Sequence, residues 1–324
     1  MNILVTGVAG FIGMAVARQL LKRGETVIGI DNLNNYYDTK LKFSRLNILK
    51  KYKKFHFYKV DILSNKINKI FKEHLPTKVI HLAAQPGIRY SILNPFKSSK
   101  VNIEGFNNII EISKNSNVKH FVYASSSSVY GLNSKLPYKE SHKVESPYSL
   151  YAASKKSNEL FAHAYSSLYK MKTSGIRYFT VYGPWGRPDM AAIKFLHKIS
   201  NNKKINIYNK GIMKRDFTYI DDAVDGTLKI LDSQHYKEYC IYNIGNSRPS
   251  KILNFVNLLE KYYKKKADYH MSAMQLGDLK NTHACLIKSK RNLKYKPKTS
   301  LEEGIKNLVL WYKDYYESNK VKDY

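Results

Sequence analysis

Short apolar runs alternate with helical stretches through the first 182 residues, and this order constrains the fold more than any other feature of the sequence. We predict buried strands at residues 3–5, 26–30, 55–60, 79–83, 121–124 and 176–181. Apolar strands separated by amphipathic helices are typical of a parallel sheet that is covered on both faces. The chain is therefore expected to have an α/β fold with a doubly wound parallel sheet.

The alternation stops at Gly183-Pro184, where Pro and Gly residues mark a loop. We predict a first domain at residues 1–182 and a smaller α+β substrate domain at residues 183–324. Residues 217–246 are expected to return to the first domain, because they contain a further apolar strand pattern. Two helices are predicted in the remainder, at residues 252–263 and 301–316. A ligand is expected in the cleft between the two parts.

The composition is that of a globular protein with room for a sizeable core. The chain has 324 residues, of which 43% are hydrophobic, and only two cysteines. No run of about 18 apolar residues predicts a membrane span, and the N-terminal residues are predicted to enter a strand at once, so we expect no signal peptide. Two cysteines form neither a disulfide framework nor a metal-ligand cluster. We expect a cytoplasmic protein with no metal site and no membrane partner.

The formal net charge of +30 has two interpretations. One is a polyanionic partner such as nucleic acid. The other is a lysine-rich composition with no specific role. The longest basic clusters, at residues 50–54 and 264–266, are short and far apart, and no nucleic-acid motif accompanies them. We favour the second interpretation and expect no nucleic-acid partner, although a positive field would help to attract a small polyanionic substrate.

Three glycines lie between the first predicted strand and the first predicted helix. Gly7, Gly10 and Gly13 permit a tight turn and a close approach of the backbone to a pyrophosphate, next to the positive end of a helix. The helix start at Phe11 and Ile12 belongs to the same site. Asp31 ends the second strand, where a carboxylate can bind the adenosine ribose and would repel a 2′-phosphate. The pattern predicts a Rossmann-type site for NAD; a glycine-rich connection with no ligand is the alternative.

Tyr151 and Lys155 are one helical turn apart, so both side chains lie on the same helix face. A nearby cation favours the phenolate, so that Tyr151 could act as a general base below its ordinary pKa of about 10. Residues 125–128 are four serines that follow the fifth strand, at the carboxyl edge where α/β sheets carry their chemistry. Taken alone, the serine run is a polar turn and the Tyr-Lys spacing could arise by chance.

Together, the glycine spacing, the serine run and the Tyr-Lys pair resemble the extended short-chain dehydrogenase/reductase family over essentially the whole chain. The resemblance implies that Ser126 hydrogen-bonds the sugar hydroxyl that Tyr151 deprotonates, while Lys155 holds the nicotinamide ribose. It also implies cofactor contacts from several residues in the first half of the chain, namely Asn32, Asp61, Ile62 and Ala83. From the residues alone, Asp61 is equally a turn residue at a strand end.

The residues after Ser126 discriminate between reactions in that family. Members that dehydrate a 4-keto sugar carry Asp-Glu at these two positions, and members that decarboxylate keep a Glu at the second. This chain has Ser127 and Ser128 instead. The resemblance therefore implies epimerisation, in which hydride leaves C4 for NAD, the 4-keto sugar turns over, and hydride returns to the other face.

Residues 31–38, 83–91 and 177–191 resemble the branch of the family that epimerises UDP-glucuronate at C4. Pro86 and Leu276 depart from the usual pattern of that branch. The resemblance implies a UDP-hexuronate substrate and a set of substrate contacts: Arg89, Ser127, Ser128, Thr180, Arg187, Arg215 and Asp278. It also implies a homodimer that is formed through the helices near residues 100–116 and 151–168.

A uronic acid that is oxidised at C4 becomes a β-keto acid and readily loses carbon dioxide. An epimerase must therefore hold the carboxylate in an unreactive orientation, and the Arg187 guanidinium can grip a carboxylate through two parallel bonds. Two other functions stay open: a 4-epimerase of neutral or N-acetylated UDP-hexoses, and a non-catalytic NAD-bound scaffold or nucleic-acid binder. Asp221 and Asp222 could suggest a metal pair, but an acidic helix start explains them better.

Overall fold

A computed structural model describes residues 1–133, 135–234 and 238–318. Its strands are β1 Asn2–Thr6, β2 Thr26–Asp31, β3 Phe55–Lys59, β4 Lys78–His81, β5 His120–Ser126, β6 Thr173–Tyr178, β7 Thr180–Tyr182, β8 Ile205–Tyr208, β9 Lys214–Arg215, β10 Phe217–Tyr219, β11 Tyr239–Ile244, β12 Ser250–Lys251 and β13 Tyr269–Ser272. Its α-helices are α1 Phe11–Lys22, α2 Thr39–Leu49, α3 Ile67–His74, α4 Ile88–Leu93, α5 Pro95–Ser99, α6 Gly105–Asn115, α7 Leu150–Tyr169, α8 Ala191–Ser200, α9 Ile220–Asp232, α10 Ile252–Tyr263, α11 Ile287–Leu293 and α12 Leu301–Tyr312.

Seven parallel strands form the main sheet in the order β11-β6-β5-β4-β1-β2-β3. The chain builds outward from β1 to β3 and then returns to the other side of β1 with β4. The strand order therefore reverses between β1 and β4, and the carboxyl ends of these two strands diverge to leave a crevice. The predicted fold class, an α/β fold with a doubly wound parallel sheet, is confirmed.

The core lies on both faces of this sheet, as the alternation of side chains along a strand requires. In β1, Ile3 and Val5 point into one apolar cluster and Leu4 into the other. The first cluster includes residues of α1, α9 and α12, and the second includes residues of α3 and α6, among them Phe71 and Phe106. A strand that is buried on both faces has a continuous run of apolar residues, and these strands could therefore be predicted from the sequence.

The predicted strand at residues 176–181 is two strands, because the chain changes partner at Phe179. The Phe179 N–H donates to the Ile244 carbonyl at the end of β11 (3.0 Å), whereas the Thr180 N–H donates to the Asp216 carbonyl (3.1 Å). As a result, β7 leaves the main sheet and pairs in parallel with β10. Two further pairs, β9 with β12 and β8 with β13, lie in the part of the chain that follows Gly183.

Residues 217–246 belong only partly to the main sheet. β11 pairs with β6 in the main sheet, as predicted for this segment, whereas β10 pairs with β7 outside it. Of the two predicted later helices, α10 has the expected bounds and α12 ends at Tyr312, where a π-helical turn continues to Ser318. The domain boundaries themselves stay a prediction. In the described part of the chain, no helix has the length and apolar character that a membrane crossing needs.

Candidate active site

The glycine loop joins β1 to α1 at the crevice in the sheet. Gly7 has a left-handed backbone (φ +71°), and a Cβ there would lie 2.8 Å from the Ala83 nitrogen. A Cβ on Gly13 would lie 2.1 Å from the Gly7 carbonyl oxygen, so the helix can pack this closely only on a glycine. Helix α1 begins at Phe11 with no side-chain cap, which leaves the N–H groups of its first turn available to an anion.

Asp31, Asn32 and Asp61 lie at the carboxyl end of β2 and just beyond β3. The Asp31 carboxylate accepts hydrogen bonds from the Ala9 N–H (3.1 Å) and the Leu33 N–H (2.8 Å). Burial raises the pKa of Asp31, and these backbone hydrogen bonds act against that rise. Asn32 donates to Asp61 (2.7 Å), so the two residues form one polar wall beside the glycine loop.

Ile62 and Ala83 complete this wall. Ile62 is buried against Gly105, where a Cβ would lie 2.5 Å from its Cδ1. The Ala83 N–H donates to the Thr6 hydroxyl (3.1 Å), which ties the segment after β4 to β1. The glycine cradle, the uncapped helix start and the acidic strand end fit the diphosphate and ribose of a dinucleotide.

One face of α7 is fixed against the end of β5. The Ser149 hydroxyl caps the helix by accepting from the Ala152 N–H (3.1 Å). Lys155 Nζ donates to the Ala124 carbonyl oxygen (3.0 Å) and lies 6.0 Å from the centre of the Tyr151 ring. One turn further along the same face, Glu159 accepts from the Ser125 hydroxyl (2.7 Å). Tyr151, Lys155 and Glu159 are thus spaced so that each meets the strand that carries the serines.

Glu159 also forms a buried ion pair with Arg177 of β6. The two distances, from Arg177 Nε and Nη2 to the two carboxylate oxygens, are 2.8 and 2.9 Å. The side chains of Glu159 and Arg177 are 0% and 3% exposed, respectively. Sequence analysis did not identify this pair, although the spacing of Glu159 from Tyr151 and Lys155 was a usable signal, since residues at i, i+4 and i+8 share a helix face.

The Tyr151 hydroxyl is hydrogen-bonded to Ser126. Burial raises the pKa of Tyr151, while the Arg187 charge and the Ser126 hydrogen bond act to lower it. Two cations therefore lie near Tyr151 in this structure: Arg187, whose charge acts to lower the tyrosine pKa, and Lys155 on the same helix face. Burial lowers the pKa of Lys155 itself to about 8.

The first two serines of the run belong to β5, and the turn begins after Ser126. Ser128 donates to the Ser126 hydroxyl oxygen through both its backbone N–H (3.1 Å) and its own hydroxyl (2.9 Å). Ser127 begins the 3-10 turn that continues to Tyr130. Thr180 begins β7 and is only partly buried. Ser127 and Ser128 follow the carboxyl end of β5, and Thr180 follows the carboxyl end of β6, which is the neighbour of β5 in the main sheet.

Arg187 is paired with Asp189 in the loop between β7 and α8. Arg187 Nε donates to Asp189 Oδ1 (3.0 Å) and Nη2 donates to Oδ2 (2.6 Å). The expected two-bond grip is thus already made within the protein, and the Nη1 side of the guanidinium is the one left for a ligand. This residue pairing was not predicted, and the sequence contains no local signal for it.

Arg89, Arg215 and Asp278 come from α4, β9 and the turn at residues 275–278. The Arg89 guanidinium packs on the Tyr208 ring of β8 at 5.5 Å. Burial lowers the pKa of Arg215, and the nearby Asp278 carboxylate acts against that change. Gly277 fits closely against α4, where a Cβ would lie 2.8 Å from Ile88 Cγ2. The three predicted residues are therefore brought into one region by contacts between α4, β8, β9 and the turn at residues 275–278.

Arg45 of α2 is a buried polar residue that sequence analysis missed. Nη1 donates to the Ala9 carbonyl (3.0 Å) and the Tyr37 hydroxyl (2.7 Å). Nη2 donates to the Trp185 carbonyl (2.6 Å) and the Gly186 carbonyl (3.2 Å). One side chain therefore joins the glycine loop to the loop that carries Arg187. A usable signal exists, since Arg45 occupies the apolar stripe of α2 between buried Leu41 and Leu49.

The acidic pair at the start of α9 is structural. Asp222 accepts from the Lys298 N–H (2.8 Å) and the Thr299 N–H (3.1 Å) and so holds the segment before α12. Asp221 lies in the first turn beside it, where an acidic side chain suits the helix dipole. Both aspartates thus lie in the first turn of α9, as predicted, but the side chain of Asp222 caps the segment before α12 and not its own helix. Within the described ranges, no group of three acidic, His or Cys residues could hold a metal ion.

The fold and the site together define a class of protein. The model of the NAD dependent epimerase/dehydratase family matches residues 3–245, and the chain belongs to this family. The predicted family, its NAD dependence and its place among enzymes that isomerise nucleotide sugars are confirmed.

Particular relatives narrow this class. The chain is 42% identical to UDP-glucuronate 4-epimerase 5 of Arabidopsis thaliana, over 99% of this chain and 78% of that protein. A crystal structure of UDP-glucuronic acid 4-epimerase from Bacillus cereus with UDP-glucuronic acid and NAD superposes with a TM-score of 0.92, at 34% identity over 98% of this chain and 100% of that chain. UDP-glucose 4-epimerase from Thermotoga maritima superposes with a TM-score of 0.87, at 31% identity over 98% of this chain and 100% of that chain.

Proposed function

We propose that this protein is a UDP-glucuronate 4-epimerase that interconverts UDP-glucuronate and UDP-galacturonate through a 4-keto sugar. The observation that carries the proposal is that Arg187, held by two hydrogen bonds to Asp189, lies near Tyr151, which Lys155 flanks on the same helix face. A cation beside the proton acceptor suits a sugar that carries a carboxylate one carbon from the reacting centre. The relatives named above as UDP-glucuronate 4-epimerases support the same substrate.

Tyr151 is the proposed general base. Its phenolate takes the proton from the C4 hydroxyl, and Ser126 hydrogen-bonds the same oxygen and keeps it aligned. Bound NAD would supply the acceptor for the C4 hydride and its source when the hydride returns to the opposite face of the 4-keto sugar. The hydrogen bond from Lys155 to the Ala124 carbonyl keeps the ammonium fixed next to the ring of Tyr151. The residues proposed to hold NAD are those of the glycine loop and the wall of Asp31, Asn32, Asp61, Ile62 and Ala83.

The substrate contacts are proposals of the same kind. Arg187, Thr180 and the hydroxyls of Ser127 and Ser128 are proposed to hold the uronate carboxylate. Their combined hydrogen bonds would fix the C5–C6 bond in an orientation that does not overlap the C4 carbonyl π system. Arg89, Arg215 and Asp278 are proposed to bind the UDP part, with the two arginines at the diphosphate, because guanidinium groups bind phosphate oxygens in pairs.

The first experiment is a turnover assay with purified protein, UDP-glucuronate and no added cofactor, with products resolved by NMR. We expect UDP-galacturonate, because a closed redox cycle lets bound NAD serve many turnovers. UDP-pentose as the main product would overturn the interpretation of Ser128, and no turnover of any uronate would overturn the function itself.

A second experiment separates an acidic substrate from a neutral one. Loss of a charged hydrogen-bond partner costs about 1.5–3 kcal/mol, so Arg187→Ala should lower kcat/KM for UDP-glucuronate at least tenfold. Turnover of UDP-glucose, if any is detected, should change less. Arg23→Ala is the matched control, since it removes a surface arginine that is paired with an aspartate on α9.

Epimerisation of a neutral UDP-hexose is the second candidate function. The superposition on UDP-glucose 4-epimerase from Thermotoga maritima favours it, because the same fold there accepts a sugar without a carboxylate. This candidate would be preferred if wild-type protein converted UDP-glucose faster than UDP-glucuronate and Arg187→Ala left that rate unchanged.

We further propose a homodimer that forms through α7 and the helical segment near residues 100–116. Leu160 is 59% exposed on α7, and Phe161 and Leu168 are exposed on the same helix. Apolar side chains grouped on one exposed helix mark an interaction surface. Leu160→Glu should shift the mass that is measured by light scattering from dimer to monomer. Leu310→Glu is the control, because Leu310 is similarly exposed on α12.

We also propose a cytoplasmic location. Both cysteines are buried and form no disulfide, as is usual in a reducing compartment.

A further inference from the structure

Tyr36, Asp189 and Arg187 form a chain of hydrogen-bonded side chains, and the proposed function gives no role to Tyr36 or Asp189. Besides its two bonds to Arg187, the Asp189 carboxylate accepts a bond from the Tyr36 hydroxyl (3.1 Å). The Tyr36 ring also lies 5.9 Å from the Arg187 guanidinium carbon. Tyr36 comes from the segment between β2 and α2, so the network connects two distant parts of the chain.

The position of Tyr36 is itself fixed by its neighbours. Its ring packs edge-on against Tyr90 at 5.2 Å and against Tyr37 at 6.2 Å. A Cβ on Gly87 would lie 2.7 Å from the Tyr36 hydroxyl oxygen, so that the hydroxyl reaches Asp189 through a gap that only a glycine leaves. The Asp189 carboxylate, which accepts the hydrogen bonds of Arg187, is therefore also held by the Tyr36 hydroxyl.

The pairing determines which side of Arg187 can meet a substrate. A guanidinium has five N–H donors in one plane, and Asp189 takes one from Nε and one from Nη2. The remaining donors point from Nη1 and from the outer side of Nη2. Because both bonded pairs lie in one plane, Asp189 fixes the rotation of that plane as well as its position.

The charges agree with a permanent pair. Burial raises the pKa of Asp189, but the hydrogen bond and charge of Arg187 outweigh it and leave the pKa below its ordinary value. Asp189 is therefore ionised at neutral pH and stays an acceptor. The side chain of Arg187 is 19% exposed, so the pair is partly shielded from water and is more than a screened surface ion pair.

We propose that Asp189, supported by Tyr36, is a positioning residue that sets the orientation of Arg187 toward a uronate carboxylate and thereby suppresses decarboxylation. The proposal rests on the proposed function. In this proposal Asp189 acts only through the guanidinium, to which both of its carboxylate oxygens are bonded. A fixed donor plane gives the carboxylate one permitted orientation, whereas a freely rotating arginine gives it several.

The chemistry makes this orientation consequential. In the 4-keto uronate, the C5–C6 bond can break when it aligns with the C4 carbonyl π system. The bonding electron pair then passes into an enolate, carbon dioxide leaves, and C5 takes a proton from solvent. A UDP-4-keto-pentose remains, and return of the hydride from the reduced nicotinamide to C4, with a proton from Tyr151 to the C4 oxygen, gives UDP-pentose. The ratio of UDP-pentose to UDP-galacturonate therefore measures how well the carboxylate is oriented.

The test compares Asp189→Ala with wild type in the turnover assay, with both products counted by NMR. We expect kcat/KM for epimerisation to fall about tenfold or more, and the pentose share of the product to rise several-fold. Tyr36→Phe, which keeps the ring and removes the hydroxyl, should change both quantities in the same direction by less. Asp189→Glu, which keeps the charge, should recover part of the loss. Asp232→Asn is the matched control, since Asp232 pairs with Arg23 on the surface.

A double-mutant cycle with Arg187→Ala separates positioning from a general structural role. If Asp189 acts through Arg187, Asp189→Ala should add no further loss in the Arg187→Ala background. Additive losses would overturn the proposal, as would a folded Asp189→Ala protein with wild-type kcat/KM and pentose share. Thermal melting identifies a variant that fails to fold, and the Tyr36→Phe comparison then decides. Failure of wild-type protein to turn over UDP-glucuronate would instead refute the proposed function.

Discussion

The buried pair of Glu159 and Arg177 gives the sharpest test of how the catalytic helix is held. The Glu159 carboxylate accepts from Arg177 Nε, Arg177 Nη2 and the Ser125 hydroxyl, all within 2.9 Å, while Lys156 Nζ lies 3.6 Å away. Glu159→Gln removes the charge with little change in volume. It also turns an amide NH2 toward the guanidinium donors.

The magnitude follows from burial. Breaking a buried ion pair by removing one partner costs about 3–5 kcal/mol, because the other charge stays in a low-dielectric environment. In Glu159→Gln the Ser125 hydroxyl loses its carboxylate acceptor and can donate only to a neutral amide oxygen. This weaker hydrogen bond adds about 1 kcal/mol to the loss of stability. We therefore expect Glu159→Gln to lower the free energy of unfolding by roughly 4 kcal/mol, a large fraction of the usual 5–15 kcal/mol.

The assay is urea denaturation followed by circular dichroism, with NAD in excess for every variant. Asp225→Asn is the matched control; it breaks a surface pair with Lys229 (3.0 Å) and should cost less than about 1 kcal/mol. The double variant Glu159→Met/Arg177→Met should recover most of the lost stability, because two apolar side chains leave no unpaired charge. It should remain slow in turnover, since Ser125 next to Ser126 loses its partner. A Glu159→Gln protein within about 1 kcal/mol of wild type would refute this reasoning.

Three further predictions concern the cofactor region. Gly13→Ala places a methyl group 2.1 Å from the Gly7 carbonyl oxygen and should therefore abolish co-purification of NAD. Bound NAD is measured by absorbance after release by heat. Gly24→Asn is the control and should retain NAD, because Gly24 lies in open space at φ +81°. Arg45→Met should lower the amount of bound NAD and change the tryptophan emission together, and normal values of both would contradict a linking role. The lowered pKa of Lys155, about 8, means that the ammonium is charged below this pH and neutral above it, so that initial rates should fall as pH rises through about 8. Lys155→Arg should show no such fall, since a guanidinium keeps its proton, and an unchanged wild-type rate up to pH ~10 would count against this.

The sequence predicted the fold because the signals for the main sheet are local. Strands buried on both faces appear as apolar runs, and the glycine loop has few conformations besides the one observed. The predicted side-chain spacing of Tyr151 and Lys155 needed only the geometry of a helix. For the same reason, α10 could be placed at its observed bounds.

Contacts across the chain could not be predicted in this way. Arg45 and the Trp185 carbonyl are 140 residues apart, and nothing near either residue specifies the other. The change of strand partner at Phe179 depends on where β10 and β11 lie, which the local pattern does not contain. The charge of Arg187 on Tyr151 could not be predicted either, because Arg187 is near Tyr151 only in the folded chain.

The hydrogen bond between Tyr36 and Asp189 spans 153 positions of the sequence and has a practical consequence for protein engineering. Segments exchanged between homologous enzymes are commonly cut at loops, and both partners of this bond lie in loops. A chimera that inherits residues 31–38 from one parent and residues 185–191 from another would separate two side chains that have to match. Recombination libraries built on this scaffold should therefore transfer the two loops as a single block.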